Sequence, residues 1–297
     1  MNPSVTTVAA SPTHRHWLAY PLGLARRSPT FVVGLGIVVF FLLLAVLAPV
    51  IAPFNPTQSF SYEVLQAPSG RFFFGSDGNG MDVFSRVIYG SRYAFGIAIP
   101  AGLIMIGIGM PLGLLAGYKG GWLDEVLLRT LDVLRAFPTI ILALAVVAAT
   151  GQSLVSMVVV IGLLDSPIFA RVVRAEVLTL RSSTFVQAAI AVGNPAWRVM
   201  WVHILPNAIL GATAQLPMRM AWAVRISATL AFIGVGIQAP TPEWGAMIRQ
   251  GAEYVITGEW WAALFPGLAL MTLVLGFNLL GDGLTDLLDP KRRGVGK

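Results

Sequence analysis

The chain has 297 residues, 56% of them hydrophobic and only 11% charged. A soluble globular domain carries about 25% charged residues, so the composition excludes an ordinary soluble protein and points to one embedded in a membrane. The net charge of +6 would suggest nucleic acid in a soluble chain, but here it must first be placed against the bilayer. The absence of cysteine excludes disulfides and thiolate metal sites.

A helix needs about 20 apolar residues to cross roughly 30 Å of hydrocarbon. Five uncharged or nearly uncharged runs meet that length: Phe31–Pro53, Tyr93–Tyr118, Ala136–Leu164, Pro206–Gly236 and Trp260–Gly281. The third is too long for one helix. Thr150, Gly151, Gln152 and Ser153 interrupt it, so it divides there and the sequence predicts six crossings. Arg26 and Arg27 ahead of the first run, with Ala48–Ala52 behind it, leave a cleaved signal peptide as an alternative. The run exceeds the typical 7–15 residue signal core.

Basic residues favour the cytoplasmic side. With the N-terminus inside, the inner segments hold Arg15, Arg26 and Arg27; Lys119, Arg129 and Arg135; Arg171, Arg174, Arg181 and Arg198; and Lys291, Arg292, Arg293 and Lys297, fourteen of the twenty basic residues. Both termini are therefore expected in the cytoplasm, and nucleic acid is an unnecessary partner. The expected organisation is a cytoplasmic tail over 1–30, a first crossing over 31–53, an irregular outside cap over 54–92, and a core over 93–285. That core holds five crossings, a short turn at Lys119–Glu125, a long cytoplasmic stretch at 171–205 and a second outside segment at 237–259. A cytoplasmic tail at 286–297 closes the chain. The fold class is all-α.

The chain lacks the phosphate-cradling GxxxxGK[ST] loop; its one Gly-Lys pair is Gly296-Lys297, with no hydroxyl residue after it. With His14, His16 and His203 as the only histidines, no HExxH or metal cluster exists. Asp77-Gly-Asn-Gly-Met-Asp82 has a calcium-loop flavour but lacks the glycine at the sixth position and the distal Glu, so a turn is the better reading. The sequence therefore predicts no catalytic residues and no cofactor in this chain.

Within 171–205, Thr184 to Val192 is free of Gly and Pro and favours a short helix. Ala188, Ala189 and Ala191 leave it nearly bare, suited to a shallow groove on another protein. Gly193 can take a positive φ and end it. Pro206 suits the first turn of the next spanning helix. An ordinary amphipathic connector is the alternative.

Gln187-Ala-Ala-Ile-Ala-Val-Gly193, followed by Leu205-Pro206, resembles the "EAA" loop of binding-protein-dependent ABC importer permeases. The likeness extends to the C-type permease of the oligopeptide/dipeptide/nickel family. It is carried by Phe74-Gly-Ser-Asp77, Asp82–Arg86, Gly113–Trp122, Phe137-Pro138, Ala170–Arg174, His203–Asn207, Pro240–Gly245, Phe277–Gly283 and Leu288-Asp-Pro290. The resemblance implies a type I importer permease fold in a bacterial inner membrane. It also implies a second homologous permease subunit, an extracytoplasmic substrate-binding protein, and two ABC ATPase subunits that hold ATP and magnesium. Gln187, Ala188, Ala189, Gly193, Leu205 and Pro206 would then couple the chain to an ATPase. Four positions depart from the family pattern: Gln187 and Ser227 stand for Glu, Met81 for Arg and Ser166 for Trp.

Arg219 and Arg225 lie in the fifth crossing, where a lone Arg costs about 2.5–3.5 kcal/mol. Six residues apart, they point roughly 120° away from each other. They either pair with Asp165 or an acidic group on a partner, or line a path, together with Ser227, that favours anionic solutes. A different function class stays open: a stand-alone ion-coupled secondary transporter with Asp165, Arg219 and Arg225 as its relay. No internal repeat of the kind found in many such carriers is evident.

Overall fold

The computed structural model describes residues 28–288; most of the N-terminal tail and residues 289–297 lie outside the described residues. The described chain is built from helices: α1 (Pro29–Ile51), α2 (Val83–Lys119), α3 (Gly121–Arg135), α4 (Thr139–Thr150), α5 (Leu154–Arg181), α6 (Thr184–Ala191), α7 (Ala196–Arg198), α8 (Leu205–Thr213), α9 (Leu216–Ile233), α10 (Trp244–Ala252) and α11 (Trp261–Leu288). A wide π-helical segment, Val199–Ile204, joins α7 to α8. Among the described residues there are no strands, only the isolated bridges Ser59–Met81 and Ser76–Asp82. Five helices, α1, α2, α5, α9 and α11, are each long and apolar enough to cross a membrane; α3 and α4, bent by 80°, make a sixth if taken together.

The helices run beyond the apolar stretches that announce them. Helix α2 starts at Val83 rather than Tyr93, which shortens the irregular cap that was expected to reach residue 92. The Asp82 carboxylate caps it by accepting from the Ser85 N–H at 2.8 Å. Hydropathy misses this turn because it contains Ser85, Arg86 and Ser91, all of which are buried. The expected short turn at Lys119–Glu125 is a single break at Gly120 (φ +64°), after which α3 begins. The chain does divide at Gly151–Ser153: Gly151 has φ +97°, and the Ser153 hydroxyl accepts from Ser156 N–H to cap α5. Helix α5 then continues to Arg181, so the first eleven residues of the expected loop 171–205 are helical. The fifth run is also broken, at Ala214–Gln215 between α8 and α9.

Helices α2 and α5 form the tightest seam. Gly109, Gly113 and Gly117 recur every fourth residue, on one face of α2. A Cβ on Gly109 would stand 2.8 Å from the Ser166 carbonyl oxygen, and one on Gly117 2.8 Å from Val177 Cβ; one on Gly113 would collide with the Ala170 carbonyl. Backbones approach this closely where small residues line a membrane helix interface. Above and below the seam lie Met105, Leu114, Phe169, Val173 and Val177, all buried.

The cap over 52–82 is pinned by Arg86, which is 2% exposed. Its guanidinium donates to the Pro56 carbonyl at 3.0 Å and the Pro240 carbonyl at 3.1 Å, and lies 3.3 Å from the Asp77 carboxylate. Asp77 also accepts from the N–H groups of Asn79 and Met81, both at 2.9 Å, so the segment is a turn closed by its own backbone and an arginine. Glu243 caps α10 by accepting from Ala246 N–H at 2.8 Å, and burial pushes its carboxyl up to about 7.

The seam yields a direct comparison. Gly113→Leu should lower stability by about 1–3 kcal/mol through overpacking. Gly107→Leu on the same helix, where a Cβ meets nothing within 4 Å, should stay near wild type. Thermal unfolding of the detergent-solubilised protein measures both; equal midpoints would contradict the seam.

Candidate functional site

Helix α6 is held in place by α5 and by the π-helical segment. Val186 is buried beside Val177 of α5 and Val199, Met200 and Ile204 of the π-helical segment. Gln187 Nε2 donates to the Arg181 carbonyl at the C-terminal end of α5, 2.9 Å away. Glu could not make this contact: a carboxylate has no proton to donate and would face the negative end of the α5 dipole. The helix ends where expected. Gly193 has φ +82° and its N–H donates to the Ile190 carbonyl at 2.9 Å. The Asn194 N–H and side-chain amide both bond the Ala189 carbonyl.

The residues expected to face an ATPase divide into two groups. Gln187, Ala188 and Gly193 are exposed, whereas Ala189 is 7% exposed and faces inward beneath the helix. The open face is apolar, with Phe185, Ile190, Val192 at 79% and Trp197 at 61% exposed. Pro206 sits in the first turn of α8 (Leu205–Thr213), as the sequence suggests, although helical turns of the same stretch begin ten residues earlier, at Ala196. Proline has no N–H to donate back along the helix, and the turn immediately before it is the wide π form, which appears where a regular ladder is interrupted. Pro206 is exposed, and Leu205 packs partly buried in the core beneath α6.

The two membrane arginines have different environments. Arg219 lies 3.2 Å from Asp165 of α5, whose side chain is 4% exposed, so this pair takes the pairing alternative. Arg225 is exposed, with no counter-ion among the described residues. It borders an open groove of about 220 Å³ with Ala228, Thr229, Phe232, Gly245, Ile248 and Leu270. Ser227 is 2% exposed and its hydroxyl is buried without a partner, so it lies within the packing and away from that groove. The structure thus gives the three residues different surroundings: a paired cation, an open cation and an enclosed hydroxyl.

Residues 109–294 match the family model described as "Binding-protein-dependent transport system inner membrane component". The chain belongs to that family. Residues 25–68 match the N-terminal transmembrane domain of oligopeptide transport permease C. The chain is 39% identical over 268 residues to a dipeptide transport system permease from Alkalihalophilus pseudofirmus, covering 90% of this chain and 88% of the relative. It is 40% identical over 261 residues to a glutathione transport system permease from Pectobacterium atrosepticum, covering 87% and 86%. A probable D,D-dipeptide transport system permease from Escherichia coli is 38% identical over 273 residues, covering 91% and 90%.

As a permease of this family, the chain is a non-catalytic, inner-membrane component of an ABC transporter, and the stand-alone ion-coupled reading falls away. Two features of this permease were not anticipated. One is the glycine stripe of α2, readable as small residues four apart. The other is the lock of α3 on α5: Arg174 grips Asp124 with two bonds of 2.6 and 2.5 Å, and Arg171 pairs with Asp132. The partners are 50 and 39 residues apart, and no linear pattern marks them.

The Arg219–Asp165 pair has a clear mutational signature. Asp165→Asn strands a cation inside the membrane segment and should cost about 3–5 kcal/mol. Adding Arg219→Gln to it should recover most of that loss. Thermal unfolding of Asp165→Asn, Arg219→Gln and the double variant measures the coupling; additive losses would contradict the pair.

Proposed function

We propose that this permease forms half of the translocation path of an importer for peptides or similarly sized solutes. The observation that carries this reading is the match to a C-type oligopeptide permease domain, with relatives named for dipeptide and glutathione transport. The other half of the path comes from a second, homologous permease. An extracytoplasmic binding protein delivers the solute, and two ATPase subunits carry ATP and magnesium. Both termini and the α6 loop lie in the cytoplasm, in keeping with the fourteen basic residues assigned to the inner side.

Helix α6 is the contact that couples the two machines. Its exposed apolar face, Phe185, Ala188, Ile190 and Val192, suits a groove on an ATPase subunit. Its base is fixed to α5 by Val186 and Gln187. Closure of the ATPases would push α6, and α5 would carry that motion into the membrane as a rigid-body switch between two arrangements.

The test is uptake of labelled alanyl-alanine into proteoliposomes holding the whole transporter and its binding protein. Uptake should require internal ATP and both ATPases; uptake without them would overturn the reading. A second arm uses Gly193→Val. Space around Gly193 is open, so the cost is conformational, about 1–2 kcal/mol for a side chain in the left-handed region. The variant should insert and assemble while uptake falls relative to ATP hydrolysis. Wild-type uptake per ATP would remove α6 from the coupling role.

A further inference from the structure

We propose that Arg225 is a carboxylate subsite, gripping the anionic end of a solute as it passes along the groove between α9, α10 and α11. The inference rests on the peptide-importer reading and deepens it.

The fold has two ways of treating an arginine in this part of the membrane. Arg219 is given its own carboxylate, Asp165, and is largely enclosed. Six residues further along α9, Arg225 is given none among the described residues and is left open. It lies nine residues from Leu216 and eight from Ile233, roughly 13 Å from either end of the helix. It is therefore central, too deep for the headgroup level to be its natural counter-ion. A cation in such a position faces water or an anion, not lipid.

The groove fits that role. Arg225 is the only charged residue among those that line it, and the rest of the wall is small or apolar: Ala228, Thr229 and Phe232 of α9, Ile248 of α10 and Leu270 of α11. At about 220 Å³ it has room for about seven waters, enough for a terminal carboxylate and the residue that bears it. Walls of low polarity around one cation concentrate anions and speed their arrival. Thr229, one turn beyond Arg225 on the same face, directs its hydroxyl to the Arg225 carbonyl at 2.9 Å, so it does not compete for the guanidinium. The chemistry selects a carboxylate, as every free peptide carries at its C-terminus.

The chain contains no cysteine, which makes the site directly testable. Thr229→Cys places this chain's single thiol beside Arg225. In the assembled transporter it is reacted with an anionic sulfonatoethyl methanethiosulfonate and with its cationic trimethylammonioethyl counterpart. The anionic-to-cationic rate ratio should fall about tenfold or more when Arg225→Gln is added, the scale expected when a focusing charge is removed. Alanyl-alanine, supplied with binding protein and ATP, should slow the anionic reaction. A thiol unreactive to both reagents would mean that lipid or the second permease covers the groove, and would overturn the proposal. So would a ratio indifferent to Arg225→Gln, or labelling unprotected by a peptide the transporter imports. Import of alanyl-alanine by the wild-type transporter is scored separately, so a failed peptide reading leaves the charge-dependent labelling standing, and the reverse.

Discussion

The backbone contact between α2 and α5 is the constraint on which the rest of this permease depends. Three glycines spaced by four residues let α5 lie against α2 with main-chain atoms in van der Waals contact. In lipid there is little hydrophobic drive to bring helices together, so close packing of this kind supplies much of the association. Once α5 is fixed, its other duties follow from its length. Its buried middle presents Asp165 to Arg219, which orients α9 and with it Arg225. Its C-terminal half presents Arg171 and Arg174 to α3. Its last turn presents the Arg181 carbonyl to Gln187 and seats α6. A single 28-residue rod thus positions α9, α3 and α6 together.

A second seam carries the first helix. Gly34, Gly276 and Gly283 bring α1 and α11 together at the same close range. Outward from them, α1 exposes a nearly unbroken apolar face, with Val33, Phe40, Val46 and Val50 each more than half exposed. That face is what a bilayer requires, and it explains why α1 holds few buried residues despite being the most apolar span. The Arg86 tie works on the opposite principle. It gathers a charge, three loop segments and the start of α2 into one buried knot, so the cap is held by polar bonds where the spans are held by small residues.

Much of this was legible from the residues alone. Apolar runs marked the number and rough centres of the spans, because length and hydropathy are local properties. Gly193 as the end of α6 and the break at Gly151–Ser153 were also readable, since positive φ and capping are local. The ends of α2 and α5 were not. The turns added beyond the apolar runs contain Arg86, Arg171 and Arg174, whose partners lie far along the chain, and Ser91, whose hydroxyl bonds the Ile88 carbonyl in its own helix. The inward face of α6 is set the same way: Val186 packs with Val199, Met200 and Ile204 of the π-helical segment. Arg219, Arg225 and Ser227 share one helix and looked alike in sequence. Only packing distinguishes a paired charge, an open charge and an enclosed hydroxyl.

If α6 is the point where force enters the membrane chain, it must touch an ATPase subunit, and that contact can be measured directly. Ile190, 42% exposed on the open face of α6, is replaced by Cys to give this cysteine-free chain one thiol. The assembled transporter is then treated with a short bifunctional thiol cross-linker, with cysteines introduced along the permease-facing groove of the ATPase. The expected result is a cross-linked species of this chain with an ATPase subunit, its yield changing between nucleotide-free and ATP-bound states. An Ile190→Cys thiol that remains freely reactive with a bulky soluble reagent in the assembled complex, and forms no cross-link, would contradict the coupling role of α6.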